Sequence, residues 1–233
     1  MGCTILRKPG NPGKTSFPDS HLEALRYKGS ARKRRLYACS LARYRWDVLT
    51  DPSRKAIAVA ERYADGLASE QDLAEAERGA QAAYGYDWQF SPAPTLPAVQ
   101  AAKAACYCCA IKGYDPSANV AWYESREGES AVLEILRMFT EGPGYVVAGL
   151  EVPLRDIFGN PYRHNTVDRA CRPQTAVALA GAIYEEQAFD RMPVLADALE
   201  DAGCADADML GHLRAGGWHV RGCWVLDLLL GKE

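Results

Sequence analysis

Apolar residues in this chain recur three and four apart in one short segment after another, and Gly or Pro closes most of those segments. That spacing lines side chains along one stripe of a helix rather than along one face of a strand. The segment SARKRRLYACSLARYRWDVLT opens on Ser30 as an N-cap and carries Leu36, Cys39, Leu41, Tyr44 and Val48 near a helical stripe. Asp51-Pro52 puts Pro at the first position of a helix in DPSRKAIAVAERYADG, whose Ile57, Ala60, Tyr63 and Ala64 share a face before Gly66 stops it. Ser69 and Asp72 form a capping box, with Asp in place of the usual Glu, ahead of EQDLAEAERGAQAAYG. Towards the C-terminus QTAVALAGAIYEEQAF, MPVLADALEDAG, ADADMLGHLRA and HVRGCWVLDLLLG repeat the pattern.

Strand-type alternation is scarce. Only Tyr145–Val152, inside the irregular EGPGYVVAGLEVPLRDIFGNPY, reads as a short strand, and no partner for it is evident. The expected fold is therefore all-α: an irregular multi-helix bundle with at most one short strand pair. Residues 1–17 read as a disordered leader and 18–85 as an N-terminal helical lobe that starts with a helix over 19–28. Residues 86–97, YDWQFSPAPTLP, read as a Pro-rich connection, and 98–233 as a C-terminal lobe that forms either a second domain or part of the first. In the latter, helices are expected over AVQAAKAACYCCAIKG and within 117–140.

No apolar run approaches the roughly 18 residues a membrane span needs, and the N-terminus lacks the apolar centre of a secretory signal. A cytoplasmic protein is expected, with its eight cysteines reduced and packed as small hydrophobes.

Charge is unevenly placed. Residues 1–50 hold eleven Lys/Arg against three Asp/Glu, and the rest of the chain sixteen against twenty-seven. Arg32, Lys33, Arg34, Arg35, Arg43 and Arg45, interleaved with Tyr37, Tyr44 and Trp46, make the one nucleic-acid surface the sequence offers. Guanidinium groups would take phosphates and the rings would stack on bases. The competing account is a basic face that pairs with the acidic C-terminal half while the aromatics enter the core.

The C-terminal Cys204, His212, His219 and Cys223 have the spacing Cys-x7-His-x6-His-x3-Cys. Two thiolates and two imidazoles are an accepted tetrahedral zinc set. On a single helix His219 and Cys223, four residues apart, would face the same way. The competing account packs both cysteines in the core and ties the histidines to backbone carbonyls, since the usual short ligand pairs are missing. Cys106, Cys108 and Cys109 point in different directions on a helix and read as core. The Asp197/Asp201 pair has no accompanying base, nucleophile or metal set and reads as a solvated face. Asn160-Pro161 reads as a turn that Arg155 or Asp156 ties to a helix. Asp227, inside the most apolar run of the chain, needs a partner or solvent, and Arg221 is the partner suggested. No nucleophile elbow, phosphate-binding loop or dinucleotide fingerprint is present.

The blocks LRDIFGNPYR (Leu154–Arg163), AIYEEQAFDRMPVLADALEDAGC (Ala182–Cys204) and HVRGCWVLDLLLGKE (His219–Glu233) resemble the tail of a large paralogous family of uncharacterised planctomycete proteins. Residues Ser30–Leu73 resemble its N-terminal block, and roughly 85–150 are its variable middle. PVLADALEDAGC is also similar to the LADWLEE-type helix of a short planctomycete module, with Ala198 where Trp would stand. The family implies no activity and no catalytic residues. It tends to carry a Cys-rich phrase where this chain has Ala38–Ala42, and a Cys where this chain has Leu213. A metal site built on those extra cysteines would be incomplete here.

The sequence thus leads to a non-catalytic protein-interaction or regulatory module with a protein partner it does not identify. Its alternatives are nucleic-acid binding through the basic helix 31–46 and zinc binding through the C-terminal Cys/His set.

Overall fold

The computed structural model describes residues 30–44, 46–82, 104–106, 108–109, 151–160 and 171–232. The leader, the helix expected over 19–28, the Pro-rich 86–97, the helices expected within 117–140, and Arg45 all lie outside them. Among the described residues 76% are helical and none is in a strand, so the fold is all-α.

Eight α-helices are described: α1 (Ala31–Arg43), α2 (Asp51–Ala64), α3 (Glu70–Ala82), α4 (Glu151–Phe158), α5 (Gln174–Glu186), α6 (Met192–Asp201), α7 (Ala207–Arg214) and α8 (Trp224–Leu230). Their starts follow the capping chemistry of the sequence. Ser30 accepts from the Lys33 amide, Thr50 from the Ser53 amide, and Asp206 from the amides of Asp208 and Met209. Ser69 and Asp72 close the expected capping box in both directions: the Ser69 amide donates to Asp72 Oδ2 at 2.7 Å, and the Asp72 amide to Ser69 Oγ at 3.2 Å. Gly66, at φ +72°, ends α2 in the left-handed region.

The helices bury their stripes in two hydrophobic clusters. The first gathers Leu36, Tyr37 and Leu41 of α1, Ile57 of α2, Leu73 of α3, Ile157 and Phe158 of α4, and the cysteines of 104–109. The second gathers Ile183 and Tyr184 of α5, Met192, Leu195 and Leu199 of α6, Met209 and Leu213 of α7, and Leu226 and Leu229 of α8. Each fully buried Leu or Ile contributes about 1.5–3 kcal/mol by leaving water. The clusters do not follow the expected boundary at 86–97, because residues 104–106 and 108–109 and α4 pack with the N-terminal helices.

Several expectations are corrected. Glu151 and Val152, placed at the end of a short strand, begin α4, and residues 145–150 lie outside the described residues. Cys171 and Cys204 form a disulfide, so the cysteines are not all reduced, although Cys39, Cys106, Cys108, Cys109 and Cys223 are free and buried as expected of small hydrophobes. Tyr44, placed on the apolar stripe of α1, is 47% exposed as the residue that caps the C-terminus of the helix.

The basic helix is tied inward. Arg32 reaches across the two clusters: Nη1 and Nη2 grip Asp227 at 2.7 and 2.9 Å, Nε donates to Asp65 at 2.9 Å, and Nη2 also meets the Tyr184 hydroxyl at 2.7 Å. Lys33 donates to the Ile157 carbonyl at 3.2 Å, and Arg35 to the Cys108 carbonyl while lying over Tyr63. Arg43 forms a fork with the buried Glu61 (Nη2–Oε2 2.8 Å) and covers Trp46. Asp227 therefore pairs with Arg32, and Arg221 pairs with Asp65 at 3.2 Å instead. Burial pushes the Asp227 carboxyl above its ordinary value, and Arg32 only partly offsets that. On α6, Asp197 is joined not to Asp201 but, with Glu200, to Arg214, at 2.7 and 2.6 Å.

Removing the cation of this network leaves two carboxylates buried without their main partner. Arg32→Met is expected to cost about 3–5 kcal/mol of stability, read as a lower urea midpoint. A loss below about 1 kcal/mol would mean the network is solvated and idle.

Candidate metal centre

His212 sits in the last turn of α7, and Asp156 on α4, beside the buried Leu154, Ile157 and Phe158. His219 and Cys223 were expected on one helix. Instead a tight turn carries them, and α8 begins only at Trp224. The Cys223 amide donates to the Val220 carbonyl at 3.1 Å, and Gly222 has φ +93°. That is the glycine a type II turn requires at its third position. A Cβ on Gly222 would also lie 2.8 Å from Leu36 Cδ1, so the turn is pressed against α1.

The four side chains converge: one ligand atom from each of Asp156, His212, His219 and Cys223 lies within 4.8 Å of all the others. His212 Nε2 is 3.0 Å from Asp156 Oδ1 and 3.3 Å from Cys223 Sγ. His219 Nδ1 is 2.7 Å from the same Asp156 Oδ1. The second carboxylate oxygen accepts from the Val220 amide at 2.9 Å, which fixes the plane of the group. The imidazole rings meet edge to face with centroids 5.1 Å apart, and Trp224 leans on His212 at 5.4 Å.

The cluster is closed. Asp156, His219 and Cys223 are buried, and His212 is half-buried. A neighbouring cavity of about 410 Å³, walled partly by Phe189, Met192 and Trp218, touches this set only at His219. Burial tends to raise the Asp156 carboxyl, but hydrogen bonds and charge from His212 and His219 outweigh it and hold it below the usual carboxylate value. Burial and the neighbouring carboxylate push the Cys223 thiol well up.

A Cys, a His and an Asp in contact invite comparison with a catalytic relay. In a relay the nucleophile and the orienting carboxylate meet opposite nitrogens of the imidazole. Here both meet Nε2 of His212, and the sulfur is fully buried. Donor atoms that all face one point suit a common cation rather than a proton relay. In number and kind they match a tetrahedral zinc set of thiolate, imidazoles and carboxylate. A tetrahedral ion with bonds of about 2.0–2.3 Å spaces its ligand atoms by about 3.3–3.8 Å, so the contacts at 2.7 and 3.0 Å would open and a pair as far apart as 4.8 Å would close by about 1 Å.

Three of the four expected ligands, His212, His219 and Cys223, are thus brought together. Cys204 is not among them, because its sulfur is bonded to Cys171. Asp156 takes the fourth place. In the sequence its signal was a lone carboxylate amid Leu154, Ile157 and Phe158, read there as a tie to a turn. Of the six basic residues, Arg32, Lys33, Arg35 and Arg43 are engaged by protein groups, Arg34 is half-buried, and Arg45 lies outside the described residues. Among the described residues no helix is long and apolar enough to cross a membrane.

Comparison of the chain with protein-family profiles, curated proteins and solved structures gives no match.

Two outcomes follow for this region. Gly222→Ala combines a left-handed backbone position with a clash on Leu36 and is expected to lose about 2–3 kcal/mol in urea unfolding. Burial also pushes Cys106 up to about 12, which leaves on the order of one part in ten thousand as thiolate at pH 8. In a Cys3→Ser variant without reductant, iodoacetamide is therefore expected to label none of the five free cysteines until denaturant is added. Rapid labelling of the native protein, located by peptide mass mapping, would show that the core opens.

Proposed function

We propose that this chain is a zinc-binding helical protein whose metal is structural, held by Asp156, His212, His219 and Cys223. The observation that carries this reading is the convergence of four donor atoms from three separate segments on one buried point. Bound zinc would exchange the hydrogen bonds among these groups for coordination. One carboxylate, one thiolate and two neutral imidazoles balance its charge, so a buried centre of this kind carries no net charge. The donor set argues for zinc over magnesium or calcium, which favour oxygen ligands alone.

A closed site with four protein ligands keeps no position for substrate, which supports a non-catalytic role. Within that role the chain acts as a protein-interaction or regulatory module, its helices held in register by the metal. The resemblance of the sequence to the planctomycete family adds no activity to this reading. Nucleic-acid binding through helix 31–46 draws no support from side chains already engaged by the protein.

Metal analysis of the protein purified without a histidine tag tests the proposal. About one zinc per chain is expected, falling to near zero in Cys223→Ser and in His212→Ala, and unchanged in a Cys171→Ser/Cys204→Ser double variant. Substoichiometric zinc in the unaltered chain, or loss of zinc only in the double variant, overturns it.

A further inference from the structure

The ligands of this cluster come from both sides of the molecule. Asp156 stands on α4, whose Leu154, Ile157 and Phe158 belong to the first hydrophobic cluster. His212 stands on α7, between Met209 and Leu213 of the second, and Cys223 itself packs there. The turn between His219 and Cys223 crosses over, with Val220 in the first cluster and Cys223 in the second. A second polar contact bridges the same two clusters a few residues on. In it Arg32 of α1, with Asp65 just beyond α2, meets Asp227 of α8 and Tyr184 of α5. Arg221, between the two contacts, joins Asp65 from the second side.

We infer that zinc occupancy controls how firmly the two helical clusters are joined, with the Arg32 network as a second, metal-independent fastening. This rests on the zinc-binding reading above and adds to it a regulated property. Zinc at the first seam would tie α4 to α7 and to the turn before α8. Without zinc that seam keeps only hydrogen bonds between a carboxylate, two imidazoles and a thiol, while Arg32 still spans to Asp227. Loss of metal should therefore loosen α4, α7 and the turn, and leave α3, which packs on α2, as it was. The clusters should come apart only when both fastenings are removed.

Hydrogen exchange and urea unfolding of the full chain, zinc-loaded and zinc-stripped, test this. Zinc is expected to slow amide exchange at least about tenfold in 151–158 and 207–223, Val220 included, and to change 70–82 by less than about twofold. Arg32→Met should unfold in one transition with zinc and in two without it. Asp227→Asn, which keeps the side-chain shape, serves if Arg32→Met does not fold, and the same change from one transition to two is expected of it. Stoichiometric zinc with no local slowing, or one unchanged transition for both variants whether loaded or stripped, overturns the inference and leaves the zinc reading standing. Failure to bind zinc at all overturns both.

Discussion

The fork between Arg32 and Asp227 is the constraint on which the rest of this structure depends. It joins residues 195 apart in sequence and places α1 against α8. Three further groups, Asp65, Tyr184 and Arg221, are oriented by the same contact. Buried charge of this kind is a poor source of net stability, because each ion gives up its hydration before it meets its partner. The Asp227 carboxyl shows that cost, held above its ordinary value despite the guanidinium beside it. Such a network contributes geometry instead: Arg32 meets Asp65, Tyr184 and Asp227 together only where the two clusters dock this way, and the docking leaves Arg221 Nε buried without a hydrogen-bond partner.

The turn before α8 inherits its place from that docking. Once Asp227 is fixed on Arg32, the chain leading to it must cross from the first cluster to the second within a few residues. Gly222 allows the crossing, with no side chain between the backbone and Leu36 and a positive φ that other residues resist. His219 and Cys223 are then carried to the same spot as Asp156 and His212. The candidate metal centre is in this sense a product of how two cores meet and not of a local ligand motif.

The helices themselves were legible because capping and periodicity are local. Ser30, Ser69/Asp72 and Gly66 work within a few residues of themselves, and each acts where the sequence placed it, while α2 starts at Asp51, one residue before the Pro52 start expected, with Thr50 as its cap. The metal set was only partly legible. His212, His219 and Cys223 stand close in sequence, but Asp156 lies 56 residues before His212 and nothing local links the two. Cys204 was drawn into the set by its nearness in sequence, and the fold turned it towards Cys171 instead. The last helix was read too long. His219 and Val220 fit its apolar period, yet the period does not register that Gly222 makes a turn.

By itself, then, the sequence determined the all-α class, most of the helix starts and stops, and the residues with enough chemistry to matter. These follow from backbone hydrogen bonding and side-chain spacing, whose range is a single turn of helix. The tertiary structure decided the partners: Arg32 with Asp227, Arg221 with Asp65, Cys171 with Cys204, and Asp156 with the two histidines and Cys223. Those choices depend on which buried faces meet, and a buried polar group takes whatever complementary partner the packing brings within reach.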